Sequence, residues 1–159
     1  MQNRSKLANI KIEPVKNLNE MMQIRKVRND LRSYLTHDTK EISKLQQIIF
    51  YIKYLLTSRK KLTIYTVNFE GKIIGYGLIK ADERNRRWLT GCLHEDFHGY
   101  GIGEKLFKHL IKQIDRKKYL PCLDVLATNS NAIYLYQKLG FIKYKQIDFV
   151  SYYYLPHHV

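Results

Sequence analysis

The chain has 159 residues, 45% hydrophobic and 26% charged, with 28 Lys+Arg against 14 Asp+Glu and a net charge of +14. That length fits a single domain over residues 1–159 with room for a proper core, and the composition is ordinary for a soluble globular protein. No apolar run reaches the length of a membrane span, and the N-terminal MQNRSKLANI lacks the apolar centre of a signal peptide, so a cytoplasmic protein with no membrane partner is expected. The basic excess reads as a solvated surface or as a field that attracts anions. It is spread along the chain, so dedicated nucleic-acid binding is not expected.

In chain order, IKIEPV (10–15) predicts a strand, and residues 18–30 carry Leu18, Met21, Met22 and Ile24 at helical spacing. After a polar loop, Ser43 and Gln46 form an S-x-x-Q capping box. The helix it opens should run to about Thr57, with Leu45, Ile49, Ile52 and Leu56 on one apolar face. Residues 62–69 and 72–80 read as a hairpin turning at Glu70-Gly71, and 88–93 as a third strand. A glycine-rich stretch follows, then a helix whose buried stripe is Ile102, Leu106, Phe107, Leu110, Ile111 and Ile114. Residues 120–127 form an apolar strand interrupted by Asp124. Residues 129–140 read as a helix, with Asn129 as N-cap and Gly140 as stop, and two closing strands cover 141–147 and 149–155. Cys92 and Cys122 sit in apolar segments and read as buried small hydrophobes, and no histidine or cysteine pair has metal-ligand spacing. No metal is expected. His94 is a weak site candidate beside the glycines, His109 is expected to be solvated, and His157 and His158 are terminal.

Gly99, Gly101 and Gly103 lie within five positions, although the chain has only eight glycines. A strand, a glycine-rich turn and a helix make an anion site, because the backbone can turn tightly and the N–H groups of the first helical turn point outward. The spacing fits neither the P-loop nor the dinucleotide fingerprint. Together, HGYGIG (98–103) and the Asn129, Ala132, Leu135, Tyr136, Leu139, Gly140, Phe141 pattern resemble the GNAT acetyltransferase superfamily. The likeness extends in element order over about residues 10 to 146. His98 departs from it, standing where the family usually has Arg or Gln.

The resemblance implies a mixed α/β fold, with a mostly antiparallel sheet of about seven strands splayed between the fourth and fifth, flanked by about four helices. It implies an acyltransferase that uses acetyl-CoA as co-substrate and transfers acetyl to a primary amine by direct attack. The phosphates would lie on His98, Gly99, Tyr100, Gly101, Ile102 and Gly103. The pantetheine would run along Cys92 and Leu93, with Asn129 nearby. Tyr136 would be the general acid that protonates the thiolate, and Asp124 a candidate general base. The acceptor would meet the segment from Arg25 to Ser43, with Arg28, Asn29, Arg32 and His37 as candidate contacts, and the segment 144–154. The leading acceptor is a small molecule such as a nucleotide-linked amino sugar. The alternatives are a protein or peptide amine and, without catalysis, a CoA- or nucleic-acid-binding relative of the fold. A homodimer is expected, with the tyrosine-rich last strand as one candidate surface.

Overall fold

A computed structural model describes residues 9–157, which leaves His158 outside the described residues. The elements are β1 (Ile10–Pro14), α1 (Leu18–Asp30), α2 (Lys44–Leu56), β2 (Leu62–Phe69), β3 (Lys72–Ala81), β4 (Arg86–Leu93), α3 (Ile102–Lys112), β5 (Leu120–Leu126), α4 (Ser130–Lys138), β6 (Ile142–Ile147) and β7 (Val150–Tyr154). The seven strands form one sheet in the order β1-β2-β3-β4-β5-β7-β6. Every neighbouring pair is antiparallel except β4 and β5. This is the mixed, mostly antiparallel architecture expected from the sequence. Among the described residues no helix is long and apolar enough to cross a membrane.

Helices cover both faces of the sheet. On one face α1 buries Met21, Ile24 and Val27, and α2 buries Tyr54, against Ile64, Ile73 and Tyr76 of β2 and β3. On the other, α3 buries Ile102, Leu106, Phe107 and Leu110, and α4 buries Tyr136, against Leu89, Leu93, Leu123, Val125 and Tyr153. The alternation of strand side chains divides the two cores. Gly91 lets α3 sit close to β4, since a Cβ there would come within 2.8 Å of the Phe107 ring. His109 packs edge-on against Tyr65 at 5.2 Å, not in solvent as its sequence context suggested.

Two expectations change. The capping box at Ser43 and Gln46 forms, and α2 follows as predicted. Its stripe of Leu45, Ile49, Ile52 and Leu56 faces outward, however, and the side turned to the core is Gln47 and Tyr54. The last strand, β7, lies between β5 and β6 with both edges paired, so it offers no free edge to a partner.

The turn from β3 to β4 is closed by Asp82. It accepts from the backbone N–H groups of Arg84 (2.9 Å) and Arg86 (3.0 Å), from Arg86 Nε (2.6 Å) and from Trp88 Nε1 (3.1 Å). Burial opposes ionisation here, but these hydrogen bonds outweigh it and hold the carboxyl down to about 2. A depressed carboxyl stabilises the fold above its unfolded value, and that contribution disappears as pH falls towards 2. Urea unfolding of wild type and Asp82→Asn should therefore differ at pH 7, with the gap closing through the acid range. A gap that is the same at neutral and acid pH would show that the ionised carboxylate contributes nothing.

Candidate active site

The site lies where β4 and β5 part. The two strands pair only through Arg86–Leu120, Arg87–Pro121 and Trp88–Cys122, although β4 continues to Leu93. Beyond Trp88 the facing edges diverge, and Cys92 and Leu93 stand at the open end. Backbone polar groups need partners, so an opened strand edge suits an extended ligand that pairs like an added strand.

At the end of β4 the chain turns through Gly99 (φ 79°) and Gly101 (φ 78°), both left-handed, where any other residue would be strained. Nothing lies within 4 Å of a Cβ placed on Gly99, which leaves the space over the turn open. Gly101 is the N-cap of α3 and supplies no capping side chain, so the positive end of the helix faces this space uncapped. Ile102 is buried beneath it. At Gly103 a Cβ would meet Leu135 Cδ2 at 3.3 Å, so the small residue lets α3 approach α4. Glu104 would oppose an anion here, but Lys108 (2.7 Å) and Lys138 (2.6 Å) pair with it and hold its carboxyl down to about 2. Turn, helix end and neutralised acid together fit a pyrophosphate.

His98 has a different part from the one expected. Its backbone N–H donates to the Glu95 carbonyl (3.0 Å), and its Nε2 lies 2.8 Å from the Leu93 carbonyl, a donation that needs hydrogen on that nitrogen. His98 thus shapes the loop from inside and does not belong to the set of outward donors. Tyr100 packs against the core below the turn. His94 turns to its own loop, with Nδ1 3.3 Å from Asp96 Oδ2.

Tyr136, Cys92 and Asp124 meet at the splay. Tyr136 is 7% exposed, and its ring sits edge-on to Phe107 at 4.9 Å. Burial raises the pKa of its hydroxyl, and the neighbouring Cys92 and Asp124 raise it further, so the phenol holds its proton at neutral pH. The Cys92 thiol, half-buried, is pushed up by burial, with the Tyr76 hydroxyl acting in the opposite direction. Asn129 caps α4 by accepting from the Ala132 N–H (3.1 Å). Asp124 projects to the opposite face from its neighbours Leu123 and Val125. It accepts from the Thr36 hydroxyl, and His37 Nε2 lies 3.4 Å from its second oxygen.

The loop between α1 and α2 therefore docks on β5. It is also held from within. Arg28, 9% exposed, donates to the carbonyls of Asp38 and Lys40, and Asn29 exchanges two hydrogen bonds with Ile42 (2.9 and 3.0 Å). Arg25 donates to the Ile42 carbonyl (2.8 Å), and Arg32 faces Glu41 at 3.6 Å. The residues expected to grip an anionic acceptor grip the loop, because its carbonyls lie within their reach. Of that set His37 reaches Asp124, and the Arg28 charge lies near enough to Cys92 to oppose the rise of its thiol pKa.

Sequence reasoning placed segment 144–154 at the acceptor but did not join Trp88 to it. Register places Trp88, Cys122 and Tyr154 in one row and Asp124 and Tyr152 in the next, all on the Asp124 face. Trp88 meets Tyr152 at 6.3 Å, and Tyr144 meets Tyr152 at 6.4 Å and Tyr154 at 5.9 Å, with Arg86 5.0 Å over the Trp88 ring. Period-two reading of SYYY could have paired Tyr152 with Tyr154. Trp88 joins them only through topology.

The profile of the acetyltransferase (GNAT) family matches residues 24–141. The spermine/spermidine N(1)-acetyltransferase of Bacillus subtilis is 33% identical over 93 residues, which cover 51% of this chain and 60% of that protein. Among solved structures, Campylobacter jejuni N-acetyltransferase PseH in complex with acetyl coenzyme A superimposes with TM-score 0.71 at 22% identity, covering 94% of this chain and 99% of that one. The spermidine N-acetyltransferase of Vibrio cholerae in complex with CoA and spermine does so with TM-score 0.80 at 14% identity, covering 94% and 96%. At these identities the structural matches speak for the fold, and the profile, spanning most of the chain and both motifs, speaks for the lineage. The chain belongs to the acetyltransferase (GNAT) family.

Proposed function

We propose that the protein transfers an acetyl group from acetyl-CoA to the primary amine of a small molecule that carries a flat, anionic portion, with a nucleotide-linked amino sugar as the leading acceptor. The observation that carries the acceptor reading is the aromatic floor of Trp88, Tyr144, Tyr152 and Tyr154 beside Asp124, with Lys145 on the same face. Aromatic side chains offer a flat ring a stacking surface, and cations attract phosphate. Acetyl-CoA supplies an activated thioester when bound. The Gly99–Gly103 turn and the α3 N-terminus hold its pyrophosphate, and the open β4 edge at Cys92 and Leu93 lines up the arm. Asp124, fixed by Thr36 and His37, takes the ammonium proton directly or through one water, which frees the amine lone pair. As the C–N bond forms and the C–S bond breaks, Tyr136 gives its proton to the departing sulfur, and the second proton of the attacking nitrogen leaves to restore the phenol, directly or through water.

The polyamine named for the Bacillus subtilis relative is the second reading, favoured by that sequence match over half of this chain. A polycation would meet Lys145 and a net charge of +14, which makes this reading the weaker one.

Thiol release from acetyl-CoA, measured across UDP- and dTDP-linked amino sugars, polyamines and short peptides, tests the acceptor. Turnover should appear with the nucleotide-linked amines. Turnover with polyamines or peptides alone would replace the small anionic acceptor. Tyr136→Phe should lower kcat by about 10²-fold while leaving acetyl-CoA affinity intact, and an unchanged kcat would remove the acid role. Asp124→Asn should lower kcat by about 10²-fold and abolish the acidic limb of the pH–rate profile. A limb that persists would move the base elsewhere.

A further inference from the structure

The outward stripe of α2 has the form of a helix-pairing seam. Leu45, Ile49, Ile52 and Leu56 recur at steps of four, three and four, the d-a-d-a spacing of a heptad. They are 66%, 45%, 53% and 84% exposed, and Leu55, flanking them, is 63% exposed. Gln47 and Tyr54, on the opposite side of the helix at the f positions, anchor α2 to its own domain. These five exposed side chains present roughly 600 Å² of mostly apolar surface, at the upper limit of patches on monomers.

We propose that this face pairs with the α2 of a second copy of the chain, antiparallel across a twofold axis. The step pattern reads the same in both directions, so the seam complements itself. In that register Leu45 of one copy meets Leu56 of the other, and Ile49 meets Ile52. The flanks agree: Gln46 falls beside Lys53 and Ile48 beside Leu55, so no lysine of the helix faces a lysine across the seam. Two copies would bury roughly 1,200 Å², the lower end of stable specific interfaces, which suits a micromolar dimer. An anionic surface would be better served by lysines on both flanks, whereas one flank here stays apolar through Ile48 and Leu55. Pairing would also brace the loop that brings Thr36 and His37 to Asp124, since that loop runs directly into α2.

Sedimentation equilibrium of the full chain from low to high micromolar concentration should show a reversible dimer. Ile49→Asp/Ile52→Asp should raise its dissociation constant by about 100-fold or more. At concentrations where the wild type is itself monomeric, the melting temperature and acetyl-CoA binding should be unaltered, because both residues lie outside the core. Added salt should not weaken the dimer, since no charge pair crosses the seam. Under mild oxidant, Leu45→Cys/Leu56→Cys should cross-link, whereas Leu45→Cys alone should not, its two copies lying about 16 Å apart along the seam. A wild-type chain that stays monomeric, a dimer untouched by Ile49→Asp/Ile52→Asp, or cross-linking by Leu45→Cys alone would each overturn the proposal. So would binding of the monomer through this face to phosphatidylserine vesicles.

Discussion

The parting of β4 from β5 is the constraint on which the site depends. The strands hold three register pairs and then separate, while α3 and α4 keep the sheet closed from one side and the α1–α2 loop reaches it from the other. A parallel pair that separates midway leaves backbone groups in need of partners. Tyr136 belongs to the α3/α4 side and Asp124 to the α1/α2 side, yet the two interact across the gap. A continuous ladder would have kept these groups on separate surfaces. Cys92, half-buried, lies near Tyr136 at the same place.

Many of the charged and polar side chains serve the chain itself. Arg25, Arg28 and Asn29 bind loop carbonyls, Glu104 is tied by two lysines, and Asp82 gathers four hydrogen bonds at the β3–β4 turn. Charge-assisted bonds to backbone carbonyls fasten a loop that has few apolar residues of its own. The outcome is an ordered loop from residue 31 to 43 that carries Thr36 and His37 to a strand 88 residues away in sequence from Thr36. Tyr34 adds a bond to Glu95, so the same loop touches the turn before α3.

The elements with local signals were legible. Ser43 and Gln46 announced α2, Asn129 announced α4, and the glycines at 99 and 101 announced a turn with positive φ. Boundaries moved by one or two residues, as at β4, which starts at Arg86 and not at Trp88. The roles of Arg28 and Asn29 were not legible, because their partners are carbonyls, and any residue supplies a carbonyl. Nor was the direction of the α2 stripe. An apolar period of 3.6 says that a helix has a face and does not say towards what. The aromatic floor was legible in part: segment 144–154 was expected at the acceptor, but Trp88 comes from another strand, and only register sets it in the rows of Tyr152 and Tyr154.

The sequence by itself determined the elements, the glycine turn before α3 and the family, because caps, glycine conformations and motif spacings act over a few residues and need no distant partner. The tertiary structure alone decided which acids and arginines remain for chemistry, how Tyr136 and Asp124 come to share one gap, and which side of α2 is left uncovered. Those outcomes rest on contacts between residues far apart in the chain, and on a sheet order in which β7 inserts between β5 and β6. Such pairings follow from how the whole core closes, which no single segment encodes.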